Sequence, residues 1–301
     1  MTRHTPARSR AGLLGMAVAL FVAAIPFRCA VAQDGAVERG AYLVRAAGCI
    51  ACHTDHENGG VELAGGRGLE TPFGTFYSPN ITPDEETGIG GWSDADFVRA
   101  LREGTAPEGH SYYPVFPFAS YTLMRDEDML AIKAYLFSLD PVRQQNRDHD
   151  VGFPLSWRFT LNGWRMLHFS EGPQQEDPDQ SAQWNRGAYL VRALAHCGEC
   201  HTPRGMTGGM DDGMFLAGTR DGPDGEVVPN ITPHETGIGD WSEGDIVTLL
   251  RDGTKPDWDS VQGSMEEAID DGLSYLTDDD LTAIAVYLKS LPAIENSVGS
   301  N

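Results

Sequence analysis

Cys49-Ile50-Ala51-Cys52-His53 is the stretch that decides how this chain folds, and its spacing returns as Cys197-Gly198-Glu199-Cys200-His201. Two thiols three positions apart, followed at once by a histidine, are the arrangement of covalent c-type haem attachment. Each thiol can form a thioether with one haem vinyl group, and the adjacent imidazole then faces the iron. A thioredoxin-like redox pair would need a βαβ pattern around it, and neither copy has one. A zinc knuckle would leave the histidine after the second cysteine without a role. The two motifs therefore predict two c-type haems held by Cys49, Cys52, His53, Cys197, Cys200 and His201.

The flanks of the motif repeat as well. Arg39-Gly40-Ala41-Tyr42-Leu43-Val44-Arg45-Ala46 matches Arg186-Gly187-Ala188-Tyr189-Leu190-Val191-Arg192-Ala193. Pro79-Asn80-Ile81-Thr82-Pro83 matches Pro229-Asn230-Ile231-Thr232-Pro233. Thr87-Gly88-Ile89-Gly90 with Trp92-Ser93 answers Thr236-Gly237-Ile238-Gly239 with Trp241-Ser242. The offset, near 149 residues, is far too long for a solenoid and marks a tandem domain duplication. The expected units are residues 33–170 and 184–301, joined by a polar linker at 171–183 rich in Glu, Gln, Asp and Pro.

Residues 1–32 differ in character from the rest. Arg3, Arg8 and Arg10 precede an almost wholly apolar run from Ala11 to Ile25, and Ala30-Val31-Ala32 is an A-x-A cleavage site. This is the pattern of a secretory signal peptide cut after Ala32, and it predicts a periplasmic protein. Cys29 lies inside that segment, so the four remaining cysteines all belong to the haem motifs. Cleavage removes four arginines and no acids, taking the formal charge from −22 to −26. Such acidity argues against nucleic acid and anionic membranes, and favours basic docking partners. No later stretch approaches 18 apolar residues, so no transmembrane segment is expected in the mature chain.

Periodicity predicts helices in each copy. Residues 37–47 form one, broken at Gly48, and a second starts near Asp94 with Ser93 as N-cap, Ser242 being its counterpart. The last helix carries Met129, Ile132, Leu136 and Leu139, and again Leu281, Ile284, Leu288 and Leu291, at helical spacing. Thr277 and Asp280 have the spacing of a capping box. The runs Asp126-Glu127-Asp128 and Asp278-Asp279-Asp280 read as solvated acids favoured by the helix dipole. Gly40 and Gly187 suit a close crossing of the first and last helices, with Tyr135 and Tyr287 packing there. Asn80 and Asn230 match N-x-T but read as structural hydrogen-bonding residues. Trp92 and Trp241 suit either packing or an indole N–H to a haem propionate. The long Gly- and Pro-rich stretches 56–91 and 203–240 are more irregular chain than a compact domain carries on its own core, and wrapping a porphyrin accounts for them. Phe153, Trp157, Trp164 and Phe169 fall in a stretch without a second copy. They are expected in the core or between domains, with a docking patch as the other use.

With both motifs, the Pro-Asn-Ile-Thr-Pro segments, the Gly-Ile-Gly-x-Trp-Ser segments, Tyr113-Pro114-Val115-Phe116-Pro117-Phe118 and the Phe153-Pro154 to Trp164 stretch in view, the chain resembles the class I cytochrome c domains found in multihaem subunits of periplasmic dehydrogenases, such as the alcohol, gluconate and sorbitol/fructose enzymes. The resemblance implies an all-α fold of two tandem domains, each wrapped around one haem. It also implies an electron carrier without substrate chemistry of its own, linking a dehydrogenase subunit to a respiratory acceptor or small cytochrome. Many relatives carry three haems and a C-terminal membrane-binding segment, whereas this chain has two motifs and ends in polar residues. The alternative is a dihaem enzyme, a peroxidase or thiosulfate-oxidising cytochrome, using an open or special first haem.

On this resemblance His53 and His201 are the proximal iron ligands. Electron-shuttling cytochromes commonly take a methionine thioether as the sixth ligand. Met265 lies where the fold places it in the second domain. Met206, Met210 and Met214 follow the motif too soon and read as loop or packing residues. In the first domain, superposing the repeats puts Phe116 near the place of Met265, and phenylalanine cannot bind iron. The nearest methionine, Met124, is the expected ligand, with His110 or an open site as alternatives.

Overall fold

In the computed structural model, which describes residues 1–3 and 25–299, the two copies share a set of helices, to which the first adds further elements. The first contains α1 (Ile25–Ala46), α2 (Cys49–His53), β1 (Gly68–Thr71), β2 (Gly74–Tyr77), α3 (Asp94–Glu103), α4 (Phe118–Tyr121), α5 (Asp126–Leu136), β3 (Asp150–Val151) and α6 (Thr160–His168). The second contains α7 (Ala182–Tyr189), α8 (Gly198–His201), α9 (Glu243–Asp252), α10 (Ser264–Asp271) and α11 (Asp278–Ser290). The chain is mainly helical, with one small antiparallel sheet ordered β1-β2-β3 in the first copy. Most of the export segment expected at 1–32 lies outside the described residues, and α1 starts earlier than the periodicity indicates, at Ile25.

The helix ends follow local chemistry. Ser93 and Ser242 each close a reciprocal capping box, with Asp96 and Asp245, and Gly104 and Gly253 end the same helices in the left-handed region. The Thr277 hydroxyl accepts from the Asp280 amide, but the return half of that box is missing because the Asp280 carboxylate is engaged elsewhere. The second copy has one more residue between Arg186 and Cys197 than the first has between Arg39 and Cys49. It is absorbed as a π-turn over Leu190–Leu194, where the Ala195 amide donates to the Leu190 carbonyl.

Each first helix crosses its last helix at a glycine. A Cβ on Gly40 would lie 1.9 Å from the Ala131 carbonyl oxygen and 2.8 Å from the Tyr135 Cβ. A Cβ on Gly187 would lie 1.9 Å from the Ala283 oxygen and 2.9 Å from the Tyr287 Cβ. Backbone meets backbone there, so no larger residue fits. Leu43 and Val44 on α1, and Met129, Ile132 and Leu136 on α5, join Leu190, Leu194, Leu281, Ile284 and Leu288 in one apolar cluster that runs through both copies. A satellite of Phe76, Tyr113 and Leu161 lies under the small sheet.

The third acid of each N-terminal run is not a solvated cap. Asp128 is fully buried, Asp280 nearly so. Asp128 accepts from Arg39 at 2.7 Å and from Tyr189 of the other copy at 2.7 Å. Asp280 accepts from Arg186 at 2.6 and 2.8 Å and from Tyr42 of the other copy at 2.5 Å. The tyrosine oxygens in turn accept from the Arg125 amide at 3.1 Å and the Thr277 amide at 3.3 Å. The copies are thus related by an approximate two-fold, each lending a tyrosine to the other's ion pair. The aromatic stretch also departs from expectation. Trp164 and Phe169 pack edge-on against Phe118, but Phe153, Trp157 and Phe159 are exposed.

Burial alone would raise the Asp280 carboxyl pKa, but the hydrogen bonds from Arg186 and Tyr42 outweigh it and hold the group below its ordinary 3.8. A carboxylate depressed in the folded state stabilises the fold above the unfolded value and loses that contribution as pH falls through the folded one. Asp280→Asn is expected to lose about 3 kcal/mol in denaturant unfolding at pH 7, the cost of breaking a largely buried pair. The gap between variant and wild type should narrow steadily below pH 3.8. An equal gap at pH 7 and pH 3 would show that the pair contributes nothing through charge.

Candidate haem sites

Both motifs form single helical turns entered through a left-handed residue. Gly48 has φ 64° ahead of Cys49, and His196 has φ 38° ahead of Cys197. Glycine adopts this conformation freely, whereas His196 is held in it by packing, its ring lying 5.4 Å from that of Tyr121. None of the four motif cysteines is paired in a disulfide. Burial pushes Cys49 and Cys197 up to about 12 and Cys200 up to about 11, so neither pair is a thiolate poised for disulfide exchange.

The histidines at the end of each turn are oriented identically. Nδ1 of His53 donates to the Pro79 carbonyl at 2.7 Å, and Nδ1 of His201 to the Pro229 carbonyl at 2.8 Å. Burial lowers both imidazole pKa values, against the opposing effect of that hydrogen bond, which keeps the rings neutral. A neutral ring that donates through Nδ1 offers Nε2 as a ligand, and among the described residues Nε2 of neither ring has a hydrogen-bond partner. Two cysteines outside any disulfide, followed by such a nitrogen, are the donor set that covalent haem attachment requires.

The Pro-Asn-Ile-Thr-Pro segment supplies that carbonyl, and its asparagine holds it in place. Asn80 is buried, donates to Thr87 at 3.1 Å and to the Val142 carbonyl at 2.7 Å, and accepts from the Thr82 amide at 2.9 Å. Asn230 does the same toward Thr236, Ile294 and Thr232. Each glycine facing the segment, Gly65 and Gly218, donates its amide at 2.7 Å to the carbonyl of the proximal histidine. The chain after the last helix closes the loop: the Gln144 side chain donates to Gly65 and that of Asn296 to Gly218, both at 3.1 Å. Sequence reasoning found the asparagines but missed Gln144 and Asn296, which share no residue type and only a register. Trp92 and Trp241 are half-buried against the shared core.

The distal residues differ between the copies. Met265 lies in the first turn of α10, half-buried at the core edge. Phe116 is half-buried between Tyr112 and Tyr121, with ring centroids 5.5 and 5.7 Å away. Met124, expected as the first haem's sixth ligand, is enclosed by protein on all sides. It directly precedes Arg125, the N-cap of α5, as Leu276 directly precedes Thr277, the N-cap of α11. It therefore fills a core position that the second copy gives to leucine. His110 lies on an exposed turn, 3.9 Å from Glu108.

The cytochrome c family pattern matches residues 37–140 and again residues 185–292. The chain belongs to the cytochrome c family. It is 44% identical over 268 residues to a diheme cytochrome c-type protein of Cereibacter sphaeroides, covering 87% of this chain and 88% of that one. It is 43% identical over 279 residues to the gluconate 2-dehydrogenase cytochrome c subunit of Pantoea cypripedii, covering 88% of this chain and 62% of the relative. With the cytochrome c subunit of the quinone alcohol dehydrogenase of Gluconobacter oxydans it shares 39% over 291 residues, covering 93% of this chain and 60% of the relative. It thus spans most of the diheme relative but under two thirds of the dehydrogenase subunits. Two family domains and a diheme relative establish two covalently bound c-type haems. Among the described residues no helix is long and apolar enough to cross a membrane.

Asn80→Ala removes a donor and an acceptor from a buried site, leaving the Thr82 amide unpaired and the Val142 carbonyl with only the 3.4 Å bond from the Thr82 hydroxyl. A loss of about 2–3 kcal/mol is expected in chemical denaturation. A weaker proximal ligand should follow, seen as faster dissociation of His53 at low pH. Unchanged acid titration of the first haem would separate the asparagine from the Pro79 carbonyl.

Proposed function

We propose that the protein is a periplasmic electron carrier, exported by the segment 1–32, that relays electrons between a dehydrogenase subunit and a respiratory acceptor or small cytochrome. Cys49 and Cys52 would hold the first haem with His53 as its iron ligand, and Cys197 and Cys200 would hold the second with His201 and Met265. The haems, when bound, supply the Fe(II)/Fe(III) couple; the chain supplies attachment, the proximal hydrogen bond and burial. The relatives that are dehydrogenase cytochrome subunits support this reading. The observation that carries it is the placement of the two attachment turns side by side: a Cβ on Gly48 would lie 3.7 Å from Nε2 of His196, and Ser120 donates to Glu199 of the second motif at 2.6 Å. On this reading 33–170 and 184–301 are the two haem domains and 171–183 is the strap between them.

The test is haem content and redox titration of the purified protein. Two haems per chain by pyridine haemochrome are expected, both reversibly reducible. The double variant Cys49→Ala, Cys52→Ala should retain one haem with the second domain's spectrum. A single haem in the wild type, or reduction by a sugar or alcohol without any dehydrogenase, would overturn the proposal.

A further inference from the structure

We infer that the first haem has no methionine on its distal side, that Phe116 occupies that place, and that its iron binds small exogenous ligands of the carbon monoxide, cyanide and imidazole class. This rests on the haem assignments proposed above. The argument is the register of the two copies, read from matched backbone hydrogen bonds.

After α3 and α9 the loops run in step. The Gly104 and Gly253 amides donate to Ala100 and Leu249, Ala106 and Lys255 to the carbonyls of His110 and Asp259, and Gly109 and Trp258 back to Ala106 and Lys255. The Tyr112 and Val261 amides then donate to Gly104 and Gly253 at 2.8 and 2.9 Å. Four residues after that last matched pair stand Phe116 and Met265. The register closes again at Met124 and Leu276, and between these pins the second copy is longer, carrying α10 (Ser264–Asp271) where the first carries α4 (Phe118–Tyr121). The matching clamps at Asp128 and Asp280 fix that second register, so Met124 cannot be slid back to the place of Met265 without breaking the Arg39 and Tyr189 bonds. The Met124 carbonyl is also held, by Arg102 at 2.7 Å.

The other donors of the first domain have other roles. Met129 takes the core position of Leu281, and Met166 is exposed on α6. His56 faces Asp271, His149 accepts from the Tyr77 amide, and His168 meets Thr207. Lys133 is paired with Asp94. The Tyr121 hydroxyl donates to the Ala47 carbonyl at 2.6 Å. Phe116 packs with Tyr112 and Tyr121, and this aromatic face reaches the first attachment turn through Tyr121, whose hydroxyl bonds Ala47 two residues before Cys49. That face is apolar, which suits a small neutral or π-accepting ligand better than a charged one.

The experiment is EPR of the oxidised holoprotein together with carbon monoxide titration of the reduced form. One high-spin haem, one low-spin His/Met haem and one carbon monoxide bound per chain are expected. Phe116→Met should convert the high-spin signal to low-spin and abolish carbon monoxide binding. Met124→Leu, which installs the residue the second copy already carries, should leave both signals as in the wild type. Two His/Met signals with no carbon monoxide bound, or a low-spin haem lost in Met124→Leu, would overturn the inference while leaving electron relay intact. Haem content other than two would instead strike the assignments on which it rests.

Discussion

The carboxylates of Asp128 and Asp280 hold the rest of the structure in place. Each is buried at the start of a last helix, where an unpaired charge would cost several kcal/mol. Each is neutralised by an arginine from its own domain's first helix and completed by a tyrosine from the other domain. The arginine bond sets the height at which first and last helices cross, and the crossing is close enough that only Gly40 and Gly187 fit it. The tyrosine bond then makes the domain interface a consequence of the same charge. Because Arg39 and Gly40 lead directly into Cys49, and Arg186 and Gly187 into Cys197, the clamp also positions both haem-attachment turns. Arg45 stacked on Tyr275 and Arg67 paired with Glu267 add further ties across the boundary, worth less because they are partly solvated.

The second constraint lies in the loops. A stretch as long and irregular as 56–91 has many backbone groups that no helix or sheet satisfies. They are satisfied by side chains at fixed stations: Thr54 and Thr202 to the Leu63 and Leu216 amides, Asn80 and Asn230 to the chain beyond the last helix, and Gln144 and Asn296 to the glycines behind the proximal histidine. The proximal imidazole is therefore oriented by a carbonyl whose own position depends on residues some sixty positions later. Electron transfer without large rearrangement needs that rigidity, since a ring free to turn would change the iron's ligand field with each redox change.

The motifs, the duplication, the helices and the glycine crossings were legible because each is carried by residue type at short spacing. The burial of Asp128 and Asp280 was not. Three consecutive acids at a helix start have a complete local explanation in the dipole, and nothing nearby in sequence announces arginine and tyrosine partners from 61 to 238 positions away. The π-turn at Leu190–Leu194 was visible only as a one-residue mismatch between the repeats, and a helix can absorb such a residue in more than one way. The exposure of Phe153, Trp157 and Phe159 was equally hidden. Aromatic content argues for burial, but this stretch has no counterpart in the second copy against which its facing could be judged.

Met124 shows why symmetry has to be read from hydrogen bonds as well as from residues. Sought by type, the first domain's sixth ligand leads to the nearest methionine, and Met124 is the nearest. Counted from the last matched amides, Tyr112 and Val261, position points to Phe116, while the Asp128 and Asp280 clamps match Met124 to Leu276. The two methods disagree only where the copies differ in length, between those amides and those clamps. A duplicated scaffold fixed by buried charges can change freely at sites the charges do not touch, and position 116 is one of them. The proximal sides, tied into the clamp through the first helix, share the bonds from histidine to proline carbonyl, from glycine to histidine carbonyl and around the loop asparagine. The segments between Tyr112 and Met124 and between Val261 and Leu276 differ in length and helix.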